Sequence, residues 1–453
     1  MRTQITKKTI RQLLSGTLFV FASVTATQAQ SDGDTSTFKP SGNLWGYIFG
    51  DYAMKVNNDT LGRGAGNVQY KGTTSLNSNN TTANTLVPAN VQSNAFQLRR
   101  VYLGYDYNFA RNLTGSVVLA NEQTLLPNNQ NTTYLKYAFL KWSNIWKNSD
   151  LIIGQYQTAS FATPNGTEPL WGYRSVERTI MDLHNNDGST DLGLSLLGKI
   201  WSAPSTTDSD KPSFLGYVLQ VGNGNSATPE TDPFKKVRAN LYFVTLNQKL
   251  TIGAYGDYTT TQLSPYNTSN STVKAYASYK SEAFRLGFEF FQQTNMNSDV
   301  YTIYDPATKL AGTTVNIHSG VQLGFSVFGS AKLIKDKLNI FARYDMFNPD
   351  TKWNTNNIYT KAYSGITGSN LAAATFYTQQ FVTAGLDWTP NKRFHIMPNV
   401  WYNRYSSMMS TSSVDGTGKP YGTRVINDYD LVYRVSFYFI FNGSKKVSNN
   451  GMY

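Results

Sequence analysis

Residues 100–109 read RVYLGYDYNF. Val101, Leu103, Tyr105, Tyr107 and Phe109 share one phase of a two-residue repeat, and Arg100, Tyr102, Gly104 and Asp106 share the other. In a strand, that repeat places an apolar row on one face and a charged row on the opposite face. The same pattern returns near 338–346, where Leu338, Ile340, Ala342, Tyr344 and Met346 alternate with Asn339, Phe341, Arg343 and Asp345. It returns again near the end of the chain, with Leu431, Tyr433, Val435, Phe437, Phe439 and Phe441 opposite Asp430, Arg434 and Ser436. A charge facing hydrocarbon costs about 2–4 kcal/mol at the bilayer midplane. Apolar rows that meet lipid therefore require the charged rows to face an interior.

Working outward from this stretch, alternating segments recur near 43–54, 95–109, 112–122, 133–143, 150–158, 190–201, 213–224, 235–247, 249–261, 271–281, 283–294, 317–332, 337–348, 376–389, 392–405 and 425–441. A tilted strand of about 9–11 residues crosses a bilayer. The pattern predicts an all-β protein, a transmembrane antiparallel β-barrel of about 16 strands. Ala110-Arg111-Asn112, Asn247-Gln248, Ile334-Lys335-Asp336 and Pro390-Asn391-Lys392 read as tight turns. Residues 55–94, 159–189, 295–316, 349–375 and 406–424 read as long polar loops. This asymmetry assigns the turns to the periplasmic side and the loops to the outside. A secreted β-sandwich or β-helix would also alternate, but it would leave open sheet edges and would not need aromatics on its outer faces.

Composition and the N-terminus point the same way. There are 30 Tyr, 25 Phe and 8 Trp, yet mean hydropathy is negative, which a lipid-facing barrel with a wet interior reconciles. After the first residues no apolar run reaches the length of a membrane-spanning helix. At the start, Arg2, Lys7, Lys8 and Arg11 precede the apolar run 13–26, and Thr27-Gln28-Ala29 offers small residues for cleavage. The expected domains are a cleaved export signal over 1–29 and an outer-membrane barrel over 30–453. Cleavage removes four of 40 Lys+Arg and none of 28 Asp+Glu, leaving +8. That balance biases a water-filled passage toward anions. The charges are scattered, without the basic stripe a nucleic acid requires. With no Cys there are no disulfides or thiolate metal sites, and no cofactor is expected.

Several side chains are candidates for function. In 168–183, Leu170, Tyr173, Val176, Ile180 and Leu183 recur at spacings of three and four, which predicts helix in the third extracellular loop. Folded into the barrel, this loop would bring Arg174, Glu177 and Arg178 to a constriction; packed outside, it would be a lid. Arg100, Arg238, Arg285, Arg343 and Arg434 fall on the interior phase of five strands. They either pass an anion along the wall through bidentate contacts or pair with Asp106, Glu289, Asp345 and Asp430 to stiffen it. Asn185, Asp187 and Asp191 loosely resemble a calcium loop without EF-hand spacing, and a tight turn explains Asp187-Gly188 equally well. The GRGAG at 62–66 lacks the strand and helix of a nucleotide fingerprint. His184, His318 and His395 are far apart in sequence and form no catalytic pattern, so no enzyme is expected.

Several phrases together resemble a known family: RRVYLGYDYNF (99–109), SVERTIMD (175–182), YVLQVGNGN (217–225), ARYDMFNPD (342–350), GLDWTP (385–390) and PNVWYNRY (398–405). They resemble the phosphate-selective porin O and P family, in the form carried by Bacteroidetes outer membranes. The resemblance implies a sixteen-stranded barrel, often a homotrimer, with the third loop folded inward. The specialised members carry a dense arginine ladder and lysine ring, and this chain is sparser, so the implied activity is passive diffusion of small polar solutes with mild anion preference. The alternatives are a non-conducting structural or adhesive barrel and a component of a larger outer-membrane complex. Expected partners are outer-membrane lipids, small anions or polar solutes, and the barrel-assembly machinery. The alternating aromatics of VSFYFIF (435–441) suit an insertion signal, although a basic tail follows them.

Overall fold

A computed structural model describes residues 38–57, 93–122, 132–161, 176, 178–204, 211–262, 267–305, 310–311, 314–354, 357–359, 377–407 and 427–442. The expected export signal, the GRGAG stretch and the basic tail lie outside the described residues. The strands are β1 (Ser41–Asn57), β2 (Ser93–Ala110), β3 (Leu113–Asn121), β4 (Tyr134–Trp146), β5 (Ser149–Gln157) and β6 (Thr190–Ser202). They continue with β7 (Phe214–Gly222), β8 (Lys236–Thr245), β9 (Leu250–Gln262), β10 (Thr268–Lys280), β11 (Phe284–Asp305) and β12 (Leu310–Ala311). The last are β13 (Asn316–Ile334), β14 (Leu338–Asn348), β15 (Asn357–Tyr359), β16 (Tyr377–Asn391), β17 (Phe394–Ser407) and β18 (Asn427–Asn442). One helical turn, α1 (Ile180–Leu183), interrupts them.

Sixteen of these strands build a wall, each antiparallel to the next wall strand. The ring closes where β1 pairs with β18, from Trp45 opposite Asn442 to Lys55 opposite Val432. Closure leaves no open edge, as a bilayer demands. The expected alternation holds on the wall: Leu103, Tyr105 and Phe109 are exposed on the outside, while Arg100 and Tyr102 are buried on the inside. In β14, Ile340, Tyr344 and Met346 face outward and Phe341, Arg343 and Asp345 inward. Most connections at one rim are tight, at 111–112, 147–148, 246–249, 281–283, 335–337 and 392–393, with 203–213 the longer exception. The opposite rim carries the long connections, apart from 263–267.

The interior is more aromatic than the expected wet lumen. Tyr47, Phe49, Tyr102, Tyr242, Tyr276, Phe291, Phe328 and Tyr438 all belong to one buried cluster. Glycines on adjacent strands give several of these rings room to lie against the wall. A Cβ on Gly253 would stand 2.3 Å from the Tyr276 ring, one on Gly287 2.0 Å from Phe328, and one on Gly324 2.0 Å from Phe291. Burial of these rings therefore comes from contact with the wall itself, and the aromatic content is shared between the lipid face and the interior.

Two stretches expected as loops contain strand. β11 runs on to Asp305, eleven residues past the expected end at 294. A bulge shifts its register with β13 between Asn295 and Asp299, where Asn297 has φ 51°. Beyond it, Tyr301–Ile303 pair with β15 and Tyr304–Asp305 with β12. Met296, Val300, Tyr301, Ile303 and Tyr304 in this extension keep no sustained two-residue repeat, so alternation alone does not carry the strand through it.

Candidate functional site in the barrel interior

The described parts of the third long connection turn into the barrel. At its start, Ala159 N donates to Gln220 Oε1 at 3.0 Å, and Asn240 Nδ2 donates to Ala159 O at 2.7 Å. Further along, Arg343 Nη1 donates to Arg178 O at 2.7 Å. Asn186 Nδ2 donates to Gln293 Oε1 at 3.0 Å, Gln293 Nε2 returns a bond to Asn186 O at 3.2 Å, and Asn186 also donates to Gln322. These partners sit on β7, β8, β11, β13 and β14, so the segment is held from much of the circumference. Val176 packs with Ala53, Phe381, Trp401 and Val432, and Ile180 and Met181 are fully buried.

The helical expectation for 168–183 is reduced to α1 among the described residues; 162–175 and 177 lie outside them. What starts this turn is a cap: Asp182 N donates to Thr179 Oγ1 at 3.2 Å. The signal was present in the sequence as Thr179-x-x-Asp182, the spacing of a capping box with an acid at the third helical position.

The strongest fastening is a carboxylate latch after α1. Asp187 Oδ1 accepts from Arg238 Nη2 at 3.0 Å, from Arg238 Nε at 3.2 Å and from Lys236 Nζ at 3.1 Å. Asp187 Oδ2 accepts from Ser160 Oγ at 2.8 Å and from Tyr255 OH at 3.1 Å. Arg238 also donates from Nη1 to Asp191 Oδ2 at 2.6 Å, and Gly224 N donates to the same oxygen at 2.9 Å. Burial alone would raise the Asp187 carboxyl, but Arg238 and Lys236 outweigh it and hold the group well below the usual carboxylate range. His184 stacks on Phe347 with ring centroids 3.5 Å apart. Burial first, and then Arg343, push the His184 imidazole down to about 3, so it is neutral at pH 7. Burial raises the Asp182 carboxyl despite Arg178 and Arg100 nearby.

The structure places the named candidates as follows. Arg174 and Glu177 lie outside the described residues. Arg178 contacts Asp182 at 3.8 Å and gives its carbonyl to Arg343. Of the interior arginines, Arg343 forks onto Asp345, with Nη2–Oδ2 at 2.7 Å and Nε–Oδ1 at 2.8 Å. Arg434 bonds Asp51 and stacks 3.9 Å over the Trp401 ring. Arg100 lies 3.8 Å from Glu122 and 4.0 Å from Asp182. Arg285 is half-buried at the tight-turn rim on the same phase as Glu289. The other acids take different partners from those expected: Glu289 meets Lys274 at 3.0 Å, Asp430 meets Lys55 at 2.8 Å, and Asp106 accepts from Trp45 and Ser116. Asp187 and Asp191, read as calcium donors, are occupied by Arg238 and Lys236. Asn185 is exposed with φ 57°. Among the described residues no group of three or more His, Cys, Asp or Glu is placed to hold a metal. Two further pairs are not legible in sequence: His318 on β13 meets Asp350, just past the end of β14, at 2.5 Å, and His395 on β17 meets Asp387 on β16 at 2.8 Å.

A closed antiparallel barrel with an apolar outer belt and a charged, loop-filled interior defines a membrane-spanning β-barrel protein. Among solved structures, the outer membrane channel DcaP of Acinetobacter baumannii is similar at TM-score 0.53 and 12% identity, over 90% of this chain and 99% of that chain. The anion-selective porin from Comamonas acidovorans aligns at TM-score 0.48 and 11% identity, over 89% and 100%. OprB of Pseudomonas putida aligns at TM-score 0.48 and 10% identity, over 89% and 94%. What the DcaP comparison shows is a shared barrel fold. No protein-family model and no curated protein matches the chain.

Proposed function

We propose that this chain is an outer-membrane porin through which small polar solutes diffuse passively. The observation that carries the reading is that the described parts of the third loop lie inside a closed barrel and are fastened there by polar side chains, as a constricted pore requires. The phrases resembling the phosphate-selective porin O and P family, in its Bacteroidetes form, support it. So does the fold shared with a protein described as an outer membrane channel. An export signal over 1–29 and the alternating aromatics of β18, offered to the barrel-assembly machinery, complete the reading, with a homotrimer as the assembly. Arg238, Arg343 and Arg434 are each balanced by a carboxylate. A mild anion preference, phosphate included, is assigned on this reading to Arg174 and Arg178, tempered by Glu177, with Arg174 and Glu177 outside the described residues.

A second reading, a non-conducting structural or adhesive barrel or part of a larger complex, is favoured by the sealing of the interior charges. Arg238 and Arg343 are 2% exposed and Glu289 is 1% exposed. Purified protein in a planar bilayer under a salt gradient separates the two. Stepwise conductance with an anion-directed reversal potential is the expected result, and silence in the bilayer would overturn the porin reading. Arg174→Ala with Arg178→Ala should shift the reversal potential; an unmoved potential removes these residues from selectivity.

A further inference from the structure

The tight-turn rim carries a band of cations that the barrel interior does not use. Lys147, Lys249, Lys335, Lys337, Lys392 and Arg393 are exposed on four turns around the ring. Among the described residues none of these six forms a salt bridge, and the exposed acids of the tight turns are Glu282 and Asp336. The band is densest where two turns adjoin, 335–337 and 392–393: their strands β14 and β16 pair directly, and Thr389 N donates to Lys337 O at 2.8 Å.

Its height relative to the bilayer is marked by indoles. Trp142, Trp146, Trp201 and Trp388 lie at this rim with 46–51% of their surface exposed. Indoles exposed on a lipid-facing wall settle at the headgroup level, with the ring in the apolar edge and the N–H toward water. Lys147 directly follows Trp146, and Lys392-Arg393 come shortly after Trp388. The cations therefore sit one step beyond the indoles, at the depth of lipid phosphates. A cation at that depth is held by an anionic leaflet to the extent of about fivefold in affinity per charge.

We infer that this rim is a docking surface for anionic phospholipid headgroups of the leaflet it faces, with the turns 335–337 and 392–393 as its strongest segment. The partner is chosen by charge complementarity and by continuity with the apolar belt. A soluble acidic partner would use the cations and leave the indoles without a role.

The test uses the full-length barrel in mixed micelles of neutral phosphatidylcholine and anionic phosphatidylglycerol, with retained lipid identified by native mass spectrometry. Wild type should retain phosphatidylglycerol about fivefold or more above its bulk fraction at low salt, and lose the excess at high salt. Combining Lys335→Gln, Lys337→Gln, Lys392→Gln and Arg393→Gln should at least halve the excess. Replacing the three lysines with Arg, which keeps the charge, should preserve it. Arg404→Gln, an exposed position at the opposite rim, should leave it unchanged. Retention at the bulk ratio, or an excess indifferent to the quadruple change, overturns the inference. Displacement of the lipid by inorganic phosphate or by poly-glutamate at comparable charge would also overturn it, assigning the rim to free anions or to an acidic chain.

Discussion

Replacing Arg238 with Met tests whether the third loop is held in the barrel by its carboxylate latch. Methionine keeps much of the side-chain volume and removes the bonds at 2.6, 3.0 and 3.2 Å to Asp191 and Asp187. Removing one member of a buried ion pair costs about 3–5 kcal/mol when the other is left stranded. Here neither acid is stranded. Asp187 keeps Lys236, Ser160 and Tyr255, and Asp191 keeps the Gly224 and Leu192 amides. The expected loss is therefore smaller, about 2–3 kcal/mol, or roughly 30- to 150-fold in the docking equilibrium. Hydrogen exchange of the peptide covering 178–189, followed in micelles by mass spectrometry, reads this directly as lost protection. The partner change Asp187→Asn strands Arg238 only in part, since Asp191 remains. The two changes combined should cost at least about 1 kcal/mol less than their sum, because they remove one shared interaction. Full additivity, or exchange within about threefold of wild type for Arg238→Met alone, would refute the latch.

The remaining expectations concern wall and loop. Leu241→Arg places a charge on an outward position that is 48% exposed, and should cost about 2–4 kcal/mol in reversible unfolding from lipid; a loss under 0.5 kcal/mol, about the scatter of neutral surface changes, would show that this face does not meet hydrocarbon. Gly324→Val drives a Cβ to within 2.0 Å of the Phe291 ring and should cost about 1–3 kcal/mol, whereas Gly256→Ala meets only Thr272 O at 3.6 Å and should be near neutral by the same unfolding assay. The folded His184 titrates at about 3, below the ordinary value of about 6.5. A released loop therefore binds the proton and the docked loop does not, so docking is full above pH ~6.5 and weakens as pH falls from there toward 3. A single proton limits this loss to about 1.4 kcal/mol per pH unit. His184→Phe should flatten the acid dependence of exchange over 178–189; an unchanged slope would take His184 out of the account.

The wall was legible because lipid imposes a rule that each strand obeys locally. RVYLGYDYNF states its own inside and outside, and β2 occupies Ser93–Ala110 as that alternation requires. Where the alternation fades, so does its message: residues 295–305 read as the start of a loop, yet the strand continues through them to Asp305. Their ladder bonds are satisfied by β13 and β15, which sequence proximity does not reveal. Interior partners were less legible still. Arg343 and Asp345 lie two apart on one strand face, and that pair could be read from the sequence. Arg238 and Asp187 lie 51 residues apart on a wall strand and a loop, and only closure brings them together. The aromatics misled for a related reason: period-two patterning reports which face a ring is on, but not that a glycine on the next strand, such as Gly253 beneath Tyr276, makes the inner face apolar too.

These features together decide what can set the width of a passage through this barrel. Inner rings pressed onto glycines contribute thickness to the wall more than obstruction to the lumen. Several wall cations are neutralised in place, Arg343 by Asp345, Lys274 by Glu289 and Lys55 by Asp430, while Arg434 and Arg99 share Asp51. Neutralised pairs project little field toward a passing ion, and each would have to be broken before it bound one. On the proposed porin reading, calibre and charge at the narrowest point are thus left to the loop that Asp187 fastens. Loosening the latch should change conductance more than removing any one wall pair, which makes Arg238→Met against Lys274→Met, in the same bilayer, the comparison on which the loop's control of the passage turns. Equal effects would return control of the passage to the wall.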